Sequence, residues 1–431
     1  MSESFIHYLW QFQYFNAENL LTTAGETITI IKTGMPNTHA GPDFQQAQIK
    51  IGEVVWVGHV EIHIQSSGWE EHHHEKDQAY DNVILHVVWN DNKPVLRSDG
   101  SVMPTLELKN RVEDNLLLKY KQLVNSPWII PCTEHIHAVP AVTTLSMLDK
   151  AVAERLQRRA TEVLALLERN HHDWEETCFQ VLARNFGFHV NSEPFLQLAK
   201  SVSYKILMKH ADKLEQVESI LFGQAGFLDQ VSEREPYIDV LMREYKLLSK
   251  KFNLRANRLQ QAQWKFLRMR PANFPTLRIA QFASLLCAHK NIFSSIAGAE
   301  TITELRDIFS CRPSAYWQKH YHFGVESKEP LTALGETSIQ NLIINTVVPL
   351  WVALGKLRDQ EQFAERAISV LQHILPESNK ITRACVPMGI PNRSAFDSQA
   401  LLELHTNFCS RRRCLDCNIG AFVLKPAPQA K

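Results

Sequence analysis

The stretch that decides the fold is GPDFQQAQIKIGEVVWVGHVEIHIQSSGWEEHHHEKD, residues 41–77. It contains two runs with strand character, residues 43–51 and 54–65, joined around Gly52. In a hairpin centred on Gly52, residues equidistant from the turn face one another, so Asp43 opposes Glu61. Two facing carboxylates repel each other unless a cation lies between them, and hard divalent cations prefer carboxylate oxygens. The hairpin therefore predicts a metal site at Asp43 and Glu61.

Polar residues occupy one face of the second predicted strand. Because side chains alternate along a strand, four polar residues share that face: His59, Glu61, His63 and Gln65. The opposite face is apolar, as expected of a buried surface. The alternative is that the polar face simply meets solvent. A slip of one residue in register would also separate the two carboxylates.

The sequence around the hairpin predicts a mixed sheet flanked by helices, an α+β or α/β domain. The flanking elements are a helix over residues 4–15, a strand over 26–32, a helix over 67–82 and a buried strand over 83–89. From about residue 144 onward, apolar residues recur with a helical period, which predicts a mostly α-helical domain. We therefore expect domains at 1–125 and 140–375 and a small Cys-rich segment at 376–431, with 126–132 as a linker.

This order of elements resembles that of the PD-(D/E)XK nuclease superfamily, in which one strand carries an Asp and the next carries Glu-x-Lys. The matching residues are Pro42-Asp43 and Glu61-Ile62-His63. The resemblance implies that Asp43 and Glu61 bind Mg²⁺ or Mn²⁺, with the Ile62 carbonyl as a third ligand. His63 stands where the family has its Lys; it could act as a base near neutral pH, or it could mark lost catalysis. As a whole, the chain also resembles an uncharacterised bacterial family of about this length.

The histidine run His72–His74 suggests a second metal site. Its neighbourhood is similar to the H-x-H-x-D-H pattern of metallo-β-lactamases, but Asp77 falls one position late and the final His is missing. On a continuous helix His72 and His74 would point about 200° apart, so they could not share one ion. The sequence favours an exposed helix face beside the site. His86, within an apolar strand, is predicted to be a satisfied buried histidine.

The C-terminal segment carries Cys409, Cys414 and Cys417 in the pattern C-x4-C-x2-C. A C-x2-C step lets two thiolates bind one zinc ion or iron–sulfur cluster, so we expect one of these cofactors, with Cys385 or His405 as the fourth ligand. The intervening arginines, 411–413, would stabilise thiolates or contact phosphate. The remaining cysteines are predicted to be small core residues: Cys132, Cys178, Cys287 and Cys311.

The charge balance gives no overall bias toward a polyanion, because Lys and Arg equal Asp and Glu at 46 each. Residues 243–271 nevertheless hold nine Lys and Arg against one acid, Glu244, with aromatic residues between them. Such a segment could bind DNA or RNA through Lys250, Lys251, Arg255 and Arg258. The alternative is a solvated amphipathic helix.

The leading hypothesis is a cytoplasmic, metal-dependent nuclease or a nucleic-acid-binding protein derived from one. Neither a signal peptide nor a membrane partner is predicted, because the start lacks a basic region and no apolar run reaches about 18–20 residues. One alternative is a non-catalytic binding or scaffold protein with a degenerate site. Another is a hydrolase of small molecules that uses the histidines to bind its metal.

Overall fold

In a computed structural model, the chain divides into two compact units. The structure describes residues 1–37, 39–229, 231, 235–330 and 333–426. The N-terminal unit comprises residues 1–148, 383–390 and 404–431, and the helical unit comprises 149–382 and 391–403. Residues 126–132, which the sequence suggested as a linker, lie within the N-terminal unit. The C-terminal segment is divided between the two units.

The N-terminal unit is built on one mixed sheet. Its strands are β1 (Ile28–Lys32), β2 (Met35–Pro36), β3 (Phe44–Ile51), β4 (Val54–Gln65), β5 (Val83–Asn90) and β6 (Thr105–Glu107). Their order is β1-β3-β4-β5-β6, with β2 paired to β3. The β1–β3 and β3–β4 pairs are antiparallel, whereas β4–β5 and β5–β6 are parallel. Strand β5 is buried over most of its length, as its nearly continuous apolar sequence predicts.

A β-bulge sets the register that brings the two carboxylates together. Near the turn Ile51 pairs with Val54, but at the far end Phe44 pairs with Val60, and the register shifts between residues 44 and 47. Gln46 has φ of 57°, the left-handed conformation typical of a bulge. With Phe44 opposite Val60, the residue before β3, Asp43, comes to lie beside Glu61.

Helices make up the remainder of the fold. They are α1 (Glu3–Phe12), α2 (Gly68–Glu71), α3 (Asp114–Val124), α4 (Ala141–Arg169), α5 (Trp174–Phe186), α6 (Ser192–Ser201), α7 (Tyr204–Met208), α8 (Leu214–Gln224), α9 (Pro236–Lys251), α10 (Pro275–Ala288), α11 (Ile292–Gly298), α12 (Ile302–Phe309), α13 (Glu336–Leu342), α14 (Val348–Arg358), α15 (Gln362–His373), α16 (Lys380–Cys385), α17 (Ala395–Glu403) and α18 (Asn418–Leu424). A short hairpin, β7 (His320–His322) with β8 (Val325–Glu326), belongs to the helical unit. A mixed sheet followed by a mostly helical region agrees with the expected fold class.

The connection between β4 and β5 differs from the predicted helix over 67–82. Helix α2 ends at Glu71, and the chain continues through two 3-10 turns, His74–Lys76 and Gln78–Tyr80. The break falls at His73, whose φ is 59°. Trp69 is buried on this connection and packs with Val83, so the apolar spacing that suggested a helix instead anchors a series of short turns.

The helical unit contains a run that is long and apolar enough to cross a membrane by length and composition. It covers Glu336–Arg358 and includes a π-helical turn at Ile343–Val347 between α13 and α14. However, 72% of its most apolar window is buried inside the structure. A core helix of a soluble protein has the same properties, so this run does not by itself indicate a membrane protein.

A carboxyl group is also buried in the helical unit. Glu218 of α8 is fully buried, and its Oε2 accepts a hydrogen bond from the Tyr237 hydroxyl at 2.9 Å. The Tyr237 hydroxyl in turn accepts one from the Trp317 indole N–H at 2.8 Å. Burial raises the pKa of Glu218 to about 8, although contacts with Ser314 and Tyr237 lower it. The folded unit therefore holds the proton of Glu218 more tightly than the unfolded chain does.

This proton makes the stability of the helical unit depend on pH. The folded pKa is above the ordinary 4.5, so the protonated group contributes stability at low pH that is lost as pH rises from about 4.5 to about 8. The Glu218→Gln variant should gain stability over the wild type across this interval, by up to about 1.4 kcal/mol per pH unit. Urea unfolding at pH 5, 7 and 9 measures the difference. Glu215→Gln, an exposed neighbour on the same helix, is the control, and a gain that does not grow with pH would contradict the prediction.

Candidate metal centre

Asp43 and Glu61 are held together by reciprocal hydrogen bonds to each other's strands. The Asp43 backbone N–H donates to Glu61 Oε2 at 3.1 Å, and the Ile62 N–H donates to Asp43 Oδ2 at 3.0 Å. Each carboxylate is therefore positioned by the backbone of the neighbouring chain segment. Glu61 is only 5% exposed, so its face of β4 does not simply meet solvent. The structure brings together the two acidic residues that the sequence singled out.

His63, two residues further along β4, lies at the centre of a histidine cluster. It is buried, and its Nδ1 lies 2.9 Å from Nε2 of His86 on the neighbouring strand β5. On the other side of the ring, Nε2 lies 3.1 Å from His72 Nδ1 and 4.0 Å from Glu61 Oε1. One ring nitrogen of His63 thus faces the carboxylate while the other contacts His86.

The histidine run contributes two residues to the cluster and turns the third away. His74 is buried and its Nε2 lies 3.2 Å from Glu61 Oε1, whereas His72 is exposed and reaches His63 from the solvent side. Side-chain nitrogens of His63, His72 and His74 all lie within 4.8 Å of one another. The prediction that the run only flanks the site is wrong for His72 and His74, because the break at His73 redirects the chain. The His73 side chain remains 72% exposed.

Burial keeps His63 and His86 neutral. It lowers the pKa of His63 to about 2, with smaller contributions from His86 and His74, and it lowers the pKa of His86 to about 3. Burial also raises the pKa of Glu61; Asp43 raises it further, and contact with His74 lowers it. Neutral imidazole is the form that binds metal ions. His63 is therefore in the protonation state that binds a metal ion.

A further histidine, His7 of α1, contacts the carboxylates. Its Nε2 lies 3.2 Å from Asp43 Oδ2, and its side chain is 35% exposed. Burial lowers the pKa of His7, but the hydrogen bond and charge of Asp43, helped by two more distant carboxylates, outweigh that effect and raise it overall. His7 therefore gains a proton more readily than a free imidazole does.

Aromatic rings and a glycine enclose the histidines. Tyr80 stacks on His74 with ring centroids 3.8 Å apart, and Trp69 packs edge-on against His74 at 5.4 Å. Gly68 of α2 lies directly against the imidazole of His63, since a Cβ at this position would come within 2.6 Å of His63 Cδ2. The connection between β4 and β5 thus encloses the ring from the side opposite the sheet.

The basic segment lies in the helical unit, and two of its four aromatic residues are buried. Tyr245 and Trp264 are buried, and the Trp264 indole donates to the Ala225 carbonyl at 2.9 Å. Arg258 forms an ion pair with Asp229 at 2.6 Å. Lys250, Lys251 and Arg255 are exposed. This arrangement leaves three exposed cations as the core of the predicted nucleic-acid contact.

The predicted thiolate ligands all lie in the N-terminal unit. Cys385 ends α16, Cys409 ends a π-helical turn, and Cys414 and Cys417 precede α18. Each is buried. Cys132, which the sequence assigned to the core, is buried in the same unit.

Sequence reasoning missed three members of the histidine site. His7 has no signal in the sequence, because nothing in the helix Glu3–Phe12 relates it to Asp43. His72 and His74 did carry a signal, the unusual run itself, but its meaning depended on a backbone break that no glycine or proline announces. His86 was taken to be a satisfied buried histidine, and its partner proves to be His63.

Three histidines and a buried carboxylate beside a mixed sheet define a candidate metal centre of the imidazole–carboxylate type. The chain belongs to the family described as "Protein of unknown function (DUF2851)", whose model matches residues 3–380. That range includes every residue of the histidine site and ends before Cys385. The expectation of an uncharacterised family is thereby confirmed. No curated protein and no solved structure matches the chain.

The close approach of Gly68 to His63 predicts that a methyl group here disturbs the site. Because Gly68→Ala would place Cβ within 2.6 Å of the imidazole, either α2 or His63 must move, and overpacking of this kind costs about 1–3 kcal/mol. Urea unfolding should show this loss. Gly298→Ala is the control, since a Cβ there meets nothing within 4 Å and should leave stability unchanged or slightly raised. Equal stability of Gly68→Ala and wild type would contradict the packing described.

The break at His73 predicts that substitutions of adjacent histidines differ in their effect on metal binding. His72→Ala and His74→Ala should each weaken Co²⁺ or Zn²⁺ binding by more than the roughly 10–100-fold that loss of a supporting hydrogen bond costs. His73→Asn should bind like the wild type, because its side chain points to solvent and Asn tolerates the left-handed backbone. Isothermal titration calorimetry measures the affinities. Equal losses in all three variants would show that the run binds metal without the described geometry.

Proposed function

We propose that this protein is a divalent-metal-dependent hydrolase that cleaves phosphodiester bonds in nucleic acid. The observation that carries the proposal is the convergence of His63, His72 and His74 on one point next to the Glu61 carboxylate. Neutral imidazoles and a carboxylate are ligands that transition metals share, whereas Mg²⁺ prefers oxygen. The donor set therefore favours Mn²⁺ or Zn²⁺ over Mg²⁺.

The residues fit such an ion. The buried Nε2 of His74 makes no well-aligned hydrogen bond, an arrangement that costs free energy unless something else satisfies the nitrogen. His63 offers Nε2 on the same side, and His86 contacts its other nitrogen at 2.9 Å, as supporting residues of metal-binding histidines do. His72 opens to solvent, so an ion and a substrate can reach the cluster.

Asp43 and His7 can take part in proton transfer beside this cluster. A bound divalent ion would polarise a phosphoryl oxygen and lower the pKa of water. Asp43 lies against His7, with Oδ2 3.2 Å from Nε2, as a carboxylate does beside a catalytic histidine. Because the pKa of His7 is raised, His7 can carry a proton and donate it to a leaving alkoxide.

The order and pairing of elements support a phosphodiester substrate. A helix, an antiparallel series of strands and a parallel strand after a crossover follow one another, with the two carboxylates at the start of one strand and within the next. This order is the one that the resemblance to PD-(D/E)XK nucleases implies, except that α2 and two 3-10 turns stand in place of the helix expected over residues 67–82. His63 then has a ligand role in place of the family's Lys.

A second candidate, a hydrolase of a small molecule, is favoured by one observation. Tyr245 and Trp264 of the basic segment belong to the helical core, and Phe252 and Phe266 pack against it. This packing reduces the aromatic surface open for stacking on single-stranded bases. Lys250 and Lys251 would still allow contact with phosphates. Substrate tests therefore have to compare polymers with small diesters and esters.

The test uses the full chain stripped of metal and reloaded with Mn²⁺, Zn²⁺ or Mg²⁺. Labelled single- and double-stranded DNA and RNA, bis(p-nitrophenyl) phosphate and p-nitrophenyl acetate serve as substrates. We expect cleavage of nucleic acid with Mn²⁺ or Zn²⁺, and a loss of about 100-fold or more in Glu61→Gln and His74→Ala. Asp43→Asn should lower kcat by about 100-fold while metal binding persists. His73→Asn is the matched control with full activity.

The outcomes separate the candidates. Activity confined to the small ester would support the second candidate and overturn the assignment to nucleic acid. Nucleic-acid cleavage that survives in both Glu61→Gln and His74→Ala would come from another protein and would overturn the assigned site. Metal binding without hydrolysis of any substrate would support a binding protein with a degenerate site.

A further inference from the structure

Five buried cysteines gather in the N-terminal unit from three separate parts of the chain. Their exposures are 7% for Cys132, 0% for Cys385, 6% for Cys409, 8% for Cys414 and 7% for Cys417. The segments 383–390 and 404–431 belong to this unit, although residues 391–403 between them belong to the helical unit. The chain therefore enters the N-terminal unit twice near its end, and both times it brings cysteines with it.

Hydrogen bonds join these segments to the stretch around Cys132. The Arg412 guanidinium donates to the Ser126 carbonyl at 2.6 Å and to the Cys409 carbonyl at 3.0 Å. On the other side, the Thr133 hydroxyl lies 3.8 Å from the sulfur of Met388. Thr133, the residue after Cys132, thus contacts the segment 383–390. Arg412 connects the segment that begins at residue 404 to the residues before Cys132.

The C-x2-C step forms a tight turn against α18. The Cys417 N–H donates to the Cys414 carbonyl at 3.4 Å, and α18 begins directly after Cys417. A Cβ on Gly420 would lie 2.1 Å from the Cys414 carbonyl oxygen, so only glycine allows this approach. The turn and the helix together fix Cys414 and Cys417 in one place.

The thiols are close enough to perturb one another. Burial raises the pKa of Cys409, and Cys417, Cys132, Cys414 and then Cys385 raise it further. Burial likewise raises the pKa of Cys132 to about 12, helped by Cys417 and Cys414 before Cys385. Burial and Cys417 raise the pKa of Cys414 to about 11, while Arg412 lowers it. Cys385 comes last among the thiols that raise these pKa values, and Arg412 joins the Cys409 carbonyl to the stretch that leads to Cys132.

The geometry points to an iron–sulfur cluster bound by Cys132, Cys409, Cys414 and Cys417. Cys132, not Cys385 or His405, supplies the fourth thiolate. Within the described chain, no three cysteine sulfurs lie within 4.8 Å of one another. Four thiolates at about 2.3 Å from a single zinc ion would lie closer together than that, at about 4 Å. An inorganic cluster holds its thiolates further apart than one zinc ion does, so a cluster fits four cysteines that form no such close group.

Binding of an iron–sulfur cluster would offset the free-energy cost of burying these four cysteine thiols together. Binding replaces the four thiol protons, so the buried thiols become thiolates held by iron. Arg412 lies beside the group and offsets part of the negative charge that results. The cluster would also join the stretch 126–138 to the segment 404–426. This inference is independent of the proposed hydrolase activity, because it involves none of the histidine-site residues.

The experiment compares the wild type with three single variants, each purified anaerobically as the full chain. Iron, zinc and acid-labile sulfide are measured with the visible absorption spectrum. We expect iron and sulfide in equal amounts in the wild type, in Cys385→Ser and in the control Cys287→Ser of the helical unit. Cys132→Ser should lose at least about tenfold of both, because a three-thiolate site holds a cluster poorly.

A second measurement covers the case in which Cys132→Ser does not fold. Oxidative removal of the cluster from folded wild type, followed by alkylation and mass spectrometry, should expose the four assigned cysteines while Cys178 and Cys385 stay protected. Wild-type protein without iron would overturn the proposal, as would zinc in place of iron and sulfide. Full iron content in Cys132→Ser, or labelling of Cys385 together with the others, would overturn the ligand assignment.

Discussion

The reciprocal bonding of Asp43 and Glu61 is the constraint on which the N-terminal site depends. A carboxylate as buried as Glu61 must be satisfied by donors, and the Asp43 backbone N–H supplies one of them. Asp43 in turn accepts from the Ile62 N–H. These bonds require Phe44 to pair with Val60, and the bulge at Gln46 is what provides that pairing. A regular hairpin with the register found near the turn would place Asp43 out of step with Glu61.

The second constraint is the break in the chain at His73. A continuous helix would put His72 and His74 on different faces, as the sequence alone suggested. The left-handed conformation at His73 reverses the chain locally, and the 3-10 turn that follows directs His74 back toward Glu61. Stacking of His74 on Tyr80 and burial of Trp69 stabilise this unusual path. The strain of one residue is thus offset by the packing of its neighbours.

These two constraints explain how much the sequence could predict. Strand β4 and the sheet were predictable because alternating residues and an apolar strand are local patterns. The pairing of Asp43 with Glu61 was predictable as well. The register assumed from the sequence, however, holds only on the side of the bulge away from the turn. The path of the chain from Gly68 to Tyr80 was not predictable, because its apolar spacing fits both a continuous helix and a series of short turns. Tertiary packing decided between these two structures. Likewise His7 and Cys132 meet their partners only through long-range folding, which leaves no mark in nearby sequence.

The two candidate centres differ in the type of ligand that they offer to a metal. Imidazole and carboxylate groups gather beside the sheet, whereas thiols gather where the chain returns from the helical unit. Soft thiolates select iron–sulfur clusters and zinc, while imidazole with carboxylate suits borderline and harder ions, so the metals bound at the two centres would differ in kind. The gathering of these cysteines also has a consequence for stability. Their segments are distant in sequence, so ligation there would convert binding free energy into stability of the whole N-terminal unit. Because the carboxylate pair depends on the register of that unit's sheet, the thiol centre would support the histidine site without touching it.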